Sequence, residues 1–260
     1  MKFGYLSVNT ANGIHPGQLG EELEEREFKV GMTSYAAEVL LPGLVERLAY
    51  SYPNISCAMQ DLHAESLSSV KKEELDCCVT FQQTTILAPT ESIDELSHSY
   101  LFSDDWVLIA AADNAEVVEN IPYERFCDLP YVATRFGWNL SSYVERILDR
   151  QKMRPHPYIS VTSFELAITS VLNSPCVTVV PALLVDERVR PLLKMFKPPF
   201  EMPKIEEILV WHSRNDADPG LAWFRELMVD VAHKLATPKY NGRNAKRLIG
   251  AREGKVRSSG

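Results

Sequence analysis

The fold is decided by Phe28-Lys29-Val30-Gly31-Met32-Thr33-Ser34-Tyr35, a short apolar run that ends in three hydroxyl-bearing residues. The run 28–32 predicts a β-strand, because short apolar runs bounded by turn-forming residues are typical of buried strands. A helix is predicted next, since apolar residues then recur at 3.6-residue spacing, although Pro42 is expected to kink its first half. These apolar residues are Leu41, Leu44, Val45 and Leu48.

The same alternation continues along the first block. Strands are predicted at 55–62 and 75–81, with a charged helix at 65–74 between them. A β-α-β-α-β order with short connections is typical of a parallel sheet with helices on its faces. Two further apolar runs follow, 98–102 and 106–111, and a new set of alternations begins after them.

A second, similar block follows. Its predicted strands are 131–134, 158–161 and 176–180, and its predicted helices are 140–148, 164–172 and 183–189. A last strand, 205–212, precedes a helix that begins at Asp218-Pro219, an N-cap residue followed by proline at the first helical position. This strand and helix are expected to return to the first block.

The predicted fold class is therefore α/β, with two Rossmann-like lobes joined by two hinge crossings. Lobe I comprises 28–106 plus 209–236, and lobe II comprises 107–208; residues 1–27 form a leader of uncertain origin. Two crossings make a hinge, and the cleft at such a hinge is where α/β lobes bind ligands. Residues 237–260 are basic and poor in apolar side chains, which predicts a disordered tail, with a nucleic-acid or membrane contact as the alternative.

Composition excludes several classes of function. The 27 Lys and Arg against 35 Asp and Glu give a net charge of −8, which argues against a broad DNA-binding face. Five cysteines without a CxxC pair indicate free thiols in a reducing compartment. There is no secretory signal and no apolar run near the roughly 18 residues that a membrane span needs. We therefore expect a cytoplasmic protein without a membrane partner.

No motif for catalysis, phosphate binding or metal binding stands out. The sequence has no GxGxxG, GxxxxGK[ST], HExxH or GxSxG pattern. His63-Ala64-Glu65 matches half of a zinc-deaminase signature but lacks the PCxxC half. Cys77-Cys78 lies in a predicted strand, where neighbouring side chains point to opposite faces, so packed thiols are expected rather than metal ligands. We predict no catalytic residue, no metal and no cofactor.

Two helix starts carry the strongest binding signal. Thr162-Ser163-Phe164-Glu165 has the pattern of a capping box, with Thr162 as the N-cap and Glu165 three residues on. Thr33-Ser34-Tyr35 occupies the matching place in the first block. Free N–H groups and the positive end of a helix dipole attract a carboxylate or phenolate. The alternative is that these hydroxyls only cap their helices.

Other candidate contacts lie where predicted strands end. Phe81 and Thr134-Arg135 put aromatic and polar groups at such ends, and Arg135 either pairs with an anionic substituent or is a plain surface arginine. His212 closes the return strand, where it either donates to a phenolic oxygen or is structural.

Four motifs, in order and at suitable spacing over about 28–236, resemble the effector-binding domain of LysR-type transcriptional regulators. The run 26–35 with Leu40-Leu41-Pro42 is similar to that family's first strand and kinked helix. Glu73-Glu74-Leu75-Asp76 resembles its "GELD" turn, with Glu73 in place of the usual glycine. Residues 101–108 resemble its hinge strand, and 211–225 resemble the ending of a subgroup that responds to flavonoids, nitroaromatics or chlorophenols.

This resemblance implies a periplasmic-binding-protein-like fold that binds a small, flat, partly anionic aromatic inducer. It also implies a homodimer or homotetramer, and DNA binding only through a helix-turn-helix domain that this sequence does not show. Carried over by position, the ligand-binding residues are Thr33, Ser34, Phe81, Thr134, Arg135, Thr162, Ser163 and His212.

The leader suggests a different origin. Residues 1–26 resemble the first strand and helix of luciferase-like, flavin- or F420-dependent barrel enzymes, over about a tenth of the chain. The rest of the sequence lacks the eight strand–helix units that such a barrel needs. A truncation or fusion is the favoured interpretation. The alternatives to a ligand sensor are a solute-binding protein of the same fold, or an enzyme, either that flavin barrel or a dehydratase on the two-lobe fold.

Overall fold

The computed structural model describes residues 26–62, 66–82, 95–136 and 140–235. These residues divide into two compact units. Unit 1 contains the described residues up to Met32, those of Leu40–Tyr100, and Ile208–His233; unit 2 contains Thr33–Val39 and those of Leu101–Glu207. Most of the leader, the tail and His63-Ala64-Glu65 lie outside the described residues. Within the described part, no helix combines the length and the apolar character needed to cross a membrane.

The elements, in chain order, agree closely with the predicted alternation. The strands are β1 (Glu27–Met32), β2 (Ser56–Asp61), β3 (Cys77–Phe81), β4 (Leu96–Asp104), β5 (Trp106–Ala111), β6 (Tyr131–Phe136), β7 (Leu140–Ser141), β8 (Pro157–Val161), β9 (Val177–Pro181), β10 (Leu193–Phe196) and β11 (Ile205–His212). The α-helices are α1 (Ser34–Ser51), α2 (Ser66–Lys71), α3 (Tyr123–Cys127), α4 (Tyr143–Leu148), α5 (Phe164–Leu172) and α6 (Pro219–His233).

Unit 1 is built on a five-stranded sheet with the order β2-β1-β3-β11-β4. Strand β1 lies between β2 and β3 and pairs in parallel with both, with Val30 opposite Cys77. The predicted β-α-β-α-β arrangement is therefore confirmed. The late strand β11 lies between β3 and β4, so the end of the chain pairs with strands from its first part.

Helix α6 packs on this sheet through aromatic rings. The ring of Phe28 is fully buried and stacks on Phe224, with 4.4 Å between centroids. Asp218 caps the helix, since its Oδ1 accepts a hydrogen bond of 2.7 Å from the N–H of Leu221. Arg26 pairs with the same carboxylate at 2.9 Å. The predicted cap-and-proline start of this helix is confirmed.

Unit 2 has a mixed sheet with the order β10-β5-β9-β6-β7, and β8 pairs with β6. Strand β6 runs parallel to β8 and β9, as expected for an α/β block. Strand β5 instead runs antiparallel to both β9 and β10. The regular alternation of the sequence did not reveal this change of direction, because strand direction depends on partners that are distant in the chain.

Two predicted helices differ from the structure. The helix predicted at 183–189 is wrong: single 3₁₀ turns occur at Ala182–Leu184 and Arg190–Leu192. Between them the Asp186 carboxylate accepts hydrogen bonds from the N–H groups of Arg188 and Val189, a local turn that competes with helix. The helix predicted from residue 140 begins at Tyr143, because 140–141 forms β7 against β6. Helix α3 and strand β10 were not predicted.

The end of helix α2 explains a departure in the sequence. The helix predicted at 65–74 ends at Lys71, and Glu73 follows with a φ of 62°. This left-handed conformation favours glycine, since a Cβ there crowds the backbone. Glu73 therefore stands at a position whose geometry fits the glycine of the motif that it resembles.

Candidate ligand-binding site

The start of α1 is capped by Thr33. Its Oγ1 accepts a hydrogen bond of 3.1 Å from the N–H of Ala36, and its carbonyl accepts one of 2.9 Å from the N–H of Ala37. Thr33 and Ser34 are both half-buried. The prediction that these residues form a helix start is confirmed, and the first N–H groups of α1 have no partner within the helix.

The start of α5 is displaced by one residue from the predicted cap. Ser163, not Thr162, is the N-cap: its Oγ accepts from the N–H of Leu166 at 3.3 Å. Thr162 is exposed, and Glu165 is the second helical residue, so the predicted capping box is wrong. The helix begins at Phe164, whose buried ring packs among other aromatic residues, and this packing decides the starting residue.

An aromatic cluster surrounds this helix start. Phe164 makes edge-to-face contacts with Trp106, at 5.9 Å between centroids, and with Phe136, at 5.5 Å. Trp106 also lies nearly parallel to Tyr143 at 6.4 Å. We call these four residues the aromatic cluster. Sequence analysis missed it as a group, because its members come from β5, β6, α4 and α5.

Thr134 lies close to the same helix start. It is opposite Val161 in the β6–β8 pairing, and Val161 comes two residues before Ser163. Its side chain is 2% exposed, and its Oγ1 has no hydrogen-bond partner among the described residues. A buried hydroxyl without a partner costs free energy, so such a group needs an explanation. The next residue, Arg135, is exposed.

Two carboxyl groups meet near the two helix starts. Glu38, in the second turn of α1, shares a hydrogen bond with Glu165 of α5. Partial desolvation, this hydrogen bond and the neighbouring negative charge raise the pKa of Glu38 to about 8. The Oε1 atom of Glu165 is buried and has no hydrogen-bond partner within the described part of the chain. Glu165 was singled out in the sequence, but Glu38 carried no signal there.

A buried hydrogen-bond network holds the first turn of α1. The Tyr35 hydroxyl donates to Oδ2 of Asp104 at 2.8 Å, and the N–H of Leu183 donates to the same oxygen at 2.9 Å. The N–H of Asp105 donates to Oδ1. Burial raises the pKa of Asp104 to about 6, although these donors lower it, and burial raises that of Tyr35. The network positions Thr33 and Ser34 by fixing the next residue.

The remaining two predicted contacts belong to unit 1. Phe81 is half-buried at the end of β3. His212 ends β11, and its Nδ1 accepts a hydrogen bond of 3.2 Å from the N–H of Arg214, which caps the turn Ser213–Asn215. One ring nitrogen of His212 therefore has a structural role, in line with the structural alternative considered for it.

Six of the eight predicted contacts belong to unit 2: Thr33, Ser34, Thr134, Arg135, Thr162 and Ser163. Two of these, Arg135 and Thr162, are exposed, and Thr134 is buried. That all eight residues contact one ligand remains a prediction. Near these positions unit 2 contains two capped helix starts, an aromatic cluster, and two buried polar atoms, of Thr134 and Glu165, that have no hydrogen-bond partner in the described part of the chain.

Comparison with known families identifies the chain. The model of the LysR substrate binding domain matches residues 21–233. The chain belongs to this family. The predicted resemblance is thereby confirmed, as are the mixed α/β, periplasmic-binding-protein-like fold and the role as the effector-binding domain of a LysR-type regulator. The family and the relatives below to which this LysR substrate-binding domain is similar are those of regulators, not of solute-binding proteins or barrel enzymes.

Individual relatives agree with the family. The domain is 24% identical to Nodulation protein D 3 of Rhizobium leguminosarum bv. phaseoli, an alignment that covers 81% of this chain and 68% of the relative. It is 21% identical to Nodulation protein D 2 of Rhizobium tropici, over 90% of this chain and 71% of the relative.

Solved structures show the same fold. The regulatory domain of MexT, a transcriptional activator in Pseudomonas aeruginosa, superposes with a TM-score of 0.64 at 19% identity, covering 79% of this chain and 97% of that one. The reduced regulatory domain of OxyR2 from Vibrio vulnificus gives a TM-score of 0.59 at 19% identity, with coverages of 81% and 96%.

Proposed function

We propose that this LysR substrate-binding domain binds a small, flat aromatic inducer and releases it chemically unchanged. The contacts are those inferred from the sequence: Thr33, Ser34, Phe81, Thr134, Arg135, Thr162, Ser163 and His212. The observation that supports the proposal is the Thr134 hydroxyl, which is buried beside the start of α5 and its aromatic cluster and has no hydrogen-bond partner within the described ranges. A ligand that bonds this hydroxyl would remove the cost of leaving it unpaired.

The chemistry of unit 2 supports an aromatic ligand. Ligand sites are mostly apolar with a few well-placed polar groups, and rings bind well to other rings in edge-to-face or offset geometry. The aromatic cluster offers the rings, and Thr134 with the two helix starts offers the polar groups. No catalytic residue or cofactor is part of the proposal.

In the intact regulator, we propose, the domain works in the cytoplasm as part of a homodimer or homotetramer that contacts DNA through a separate helix-turn-helix domain. An inducer that binds two states of the regulator with different affinity shifts the population between them. The free energy available for this shift equals the difference between the two binding free energies.

Isothermal titration calorimetry against phenols, hydroxybenzoates and flavonoids tests the proposal, with Thr134→Val as the diagnostic variant. Loss of the hydroxyl is expected to weaken binding about tenfold, the equivalent of one good hydrogen bond. The matched control is Thr169→Val, at an exposed threonine of α5, which should bind like the unaltered protein.

Absence of both heat and thermal stabilisation with every compound in the panel would refute the proposal. Mass spectrometry of the recovered ligand tests whether it is unchanged, and a new product would show that the domain is an enzyme. A spectral change on addition of flavin or F420 would favour the barrel-enzyme alternative.

A further inference from the structure

Glu165 occupies the place at which a ligand would meet the start of α5. It is the second residue of the helix, next to the Phe164 ring of the aromatic cluster and two residues after the Ser163 cap. Glu38 reaches it from α1, whose cap is Thr33. The carboxyl pair therefore links the two helix starts that the sequence singled out.

Two polar groups at this helix start have no hydrogen-bond partner among the residues that the structure describes. One is Oε1 of Glu165, a buried acceptor, and the other is the Thr134 hydroxyl, in a residue that is 2% exposed. They belong to different elements, since Thr134 comes from β6. Buried polar atoms nearly always have a hydrogen-bond partner. Two buried polar atoms that lack one among the described residues, beside the same helix start, therefore indicate a hydrogen-bonding ligand. Glu165 can only accept when ionised, so its partner must donate.

The charge of the pair decides which donor is suitable. A glutamate in the first turn of a helix already offsets the positive end of the helix dipole. With a pKa of about 8, Glu38 holds a proton at neutral pH, and its hydrogen bond with Glu165 places this proton between the two carboxyl groups. Arg135 does not lie on the Thr134 side of β6, since successive side chains of a strand point to opposite faces.

We infer that Glu165, supported by Glu38, makes the inducer site selective for a neutral aromatic hydrogen-bond donor, a phenol, over an aromatic carboxylate. This inference rests on the proposed function. A phenolic O–H donates to Oε1 of Glu165, and the phenolic oxygen is free to accept from the Thr134 hydroxyl. A ligand carboxylate would instead place a second anion beside the pair, where neither oxygen could donate.

Three flavones that differ only at the 3′ position test the inference by calorimetry on the full chain at pH 7: a hydroxyl, a methoxy and a carboxylate. We expect the hydroxyl compound to bind about tenfold more tightly than the methoxy compound, the value of a hydrogen bond to a charged group. The carboxylate compound should bind more weakly than both.

Glu165→Gln removes the charge of the helix start and is expected to narrow the preference for hydroxyl over carboxylate about tenfold. Glu38→Gln changes the other member of the carboxyl pair and should also change the ratio of the affinities for the hydroxyl and carboxylate compounds. It replaces Glu165→Gln if that variant does not fold. The matched control is Glu46→Gln, at an exposed glutamate further along α1, which should leave the ratio unchanged.

The outcomes separate the inference from the function on which it rests. Binding of the carboxylate compound as tightly as the hydroxyl compound, or an unchanged ratio in both pair variants, would overturn the inference alone. If no flavone binds, while the domain remains folded, the proposed aromatic ligand is wrong.

Discussion

Two buried glutamates of unit 2, Glu145 and Glu207, have the same burial and opposite surroundings. Both side chains are fully shielded from solvent. The oxygens of Glu145 accept hydrogen bonds from the Tyr131 hydroxyl at 2.8 Å and from Arg154 at 3.0 Å. Neither oxygen of Glu207 has a partner among the described residues.

The difference shows that burial alone does not define the role of a carboxyl group. Burial raises the pKa of Glu145, but its hydroxyl and guanidinium partners oppose the increase. For Glu207, burial and the nearby charge of Asp104 raise the pKa to about 8, so the group is protonated at neutral pH. The oxygens of Glu145 have hydrogen-bond partners, whereas the burial of Glu207 without a partner among the described residues destabilises the folded state. Glu207 is the last residue of unit 2 before the chain enters unit 1.

The largest expected effect is the loss of the Glu145 network. Glu145→Gln should destabilise the domain by about 2 kcal/mol, because the half-buried guanidinium of Arg154 loses its buried carboxylate partner and keeps only its ion pair with Asp149. Glu207→Gln at pH 6 should instead stabilise the domain, by about 2 kcal/mol, because Glu207 ionises in the unfolded chain at this pH whereas the amide is neutral in both states. Urea unfolding of both variants measures the contrast, and equal losses would show that the two sites do not differ.

The next effect is a dependence of stability on pH. The folded-state pKa of Glu207, about 8, lies above its ordinary value of 4.5, so the folded protein binds this proton more tightly than the unfolded chain does. Its contribution to stability therefore falls as the pH rises between these values, by on the order of 1 kcal/mol per pH unit. Asp104, with a pKa of about 6, adds to the fall at the acid end.

Thermal unfolding at pH 6.5, 7.5 and 8.5 isolates Glu207. Glu207→Gln should become progressively more stable than the unaltered protein across this series, because the amide cannot ionise. Other groups that titrate in this pH range are present in both proteins, so they do not contribute to the difference in stability between them. A constant difference at the three pH values would mean that Glu207 is already ionised or is hydrated.

A smaller contrast of the same kind is expected between two buried threonines. The Thr178 hydroxyl donates to the carbonyl of Val132 at 2.8 Å, whereas the Thr134 hydroxyl has no partner in the described part of the chain. Thr178→Val should cost about 1 kcal/mol of stability, while Thr134→Val should cost nothing or stabilise slightly. Denaturant midpoints compare the two, and an equal loss would indicate a hidden partner for Thr134.

The smallest effect concerns a carboxylate whose partner lies at the surface. Glu73 pairs with Arg214 at 2.7 Å, but both side chains are about half exposed, so the pair contributes little. Glu73→Gly should stabilise the domain by up to about 1 kcal/mol, because glycine relieves the left-handed backbone. Glu73→Ala, which removes the charge and keeps the Cβ, is the control and should not stabilise it.

The sequence was most informative where short-range patterns control structure. Strand β11 and helix α5 have the bounds that the periodicity predicts, and Asp218-Pro219 begins α6 as expected. Apolar period, an N-cap residue and a proline act within a few residues of each other. Together with the ordered motifs, they were sufficient to assign the α/β class and the family.

The errors share a physical cause. The helix predicted at 183–189 is lost to a turn around Asp186, and the cap of α5 is Ser163 rather than Thr162. The helix begins at Phe164, whose ring packs against Trp106 and Phe136. A one-residue shift is invisible to a pattern that allows either Thr162 or Ser163 as the cap. The contacts of Phe164 with residues of β5 and β6 favour Ser163 over Thr162 as the cap.

The sequence by itself determined which segments form strands and helices and to which family the chain belongs, since those properties follow from local preference and ordered motifs. Only the tertiary structure decided which polar groups are satisfied. Glu38 meets Glu165 across 127 positions of sequence, and Glu207 has no hydrogen-bond partner in any described segment. Hydrogen bonds and desolvation depend on distances in the folded chain, which residue order does not specify.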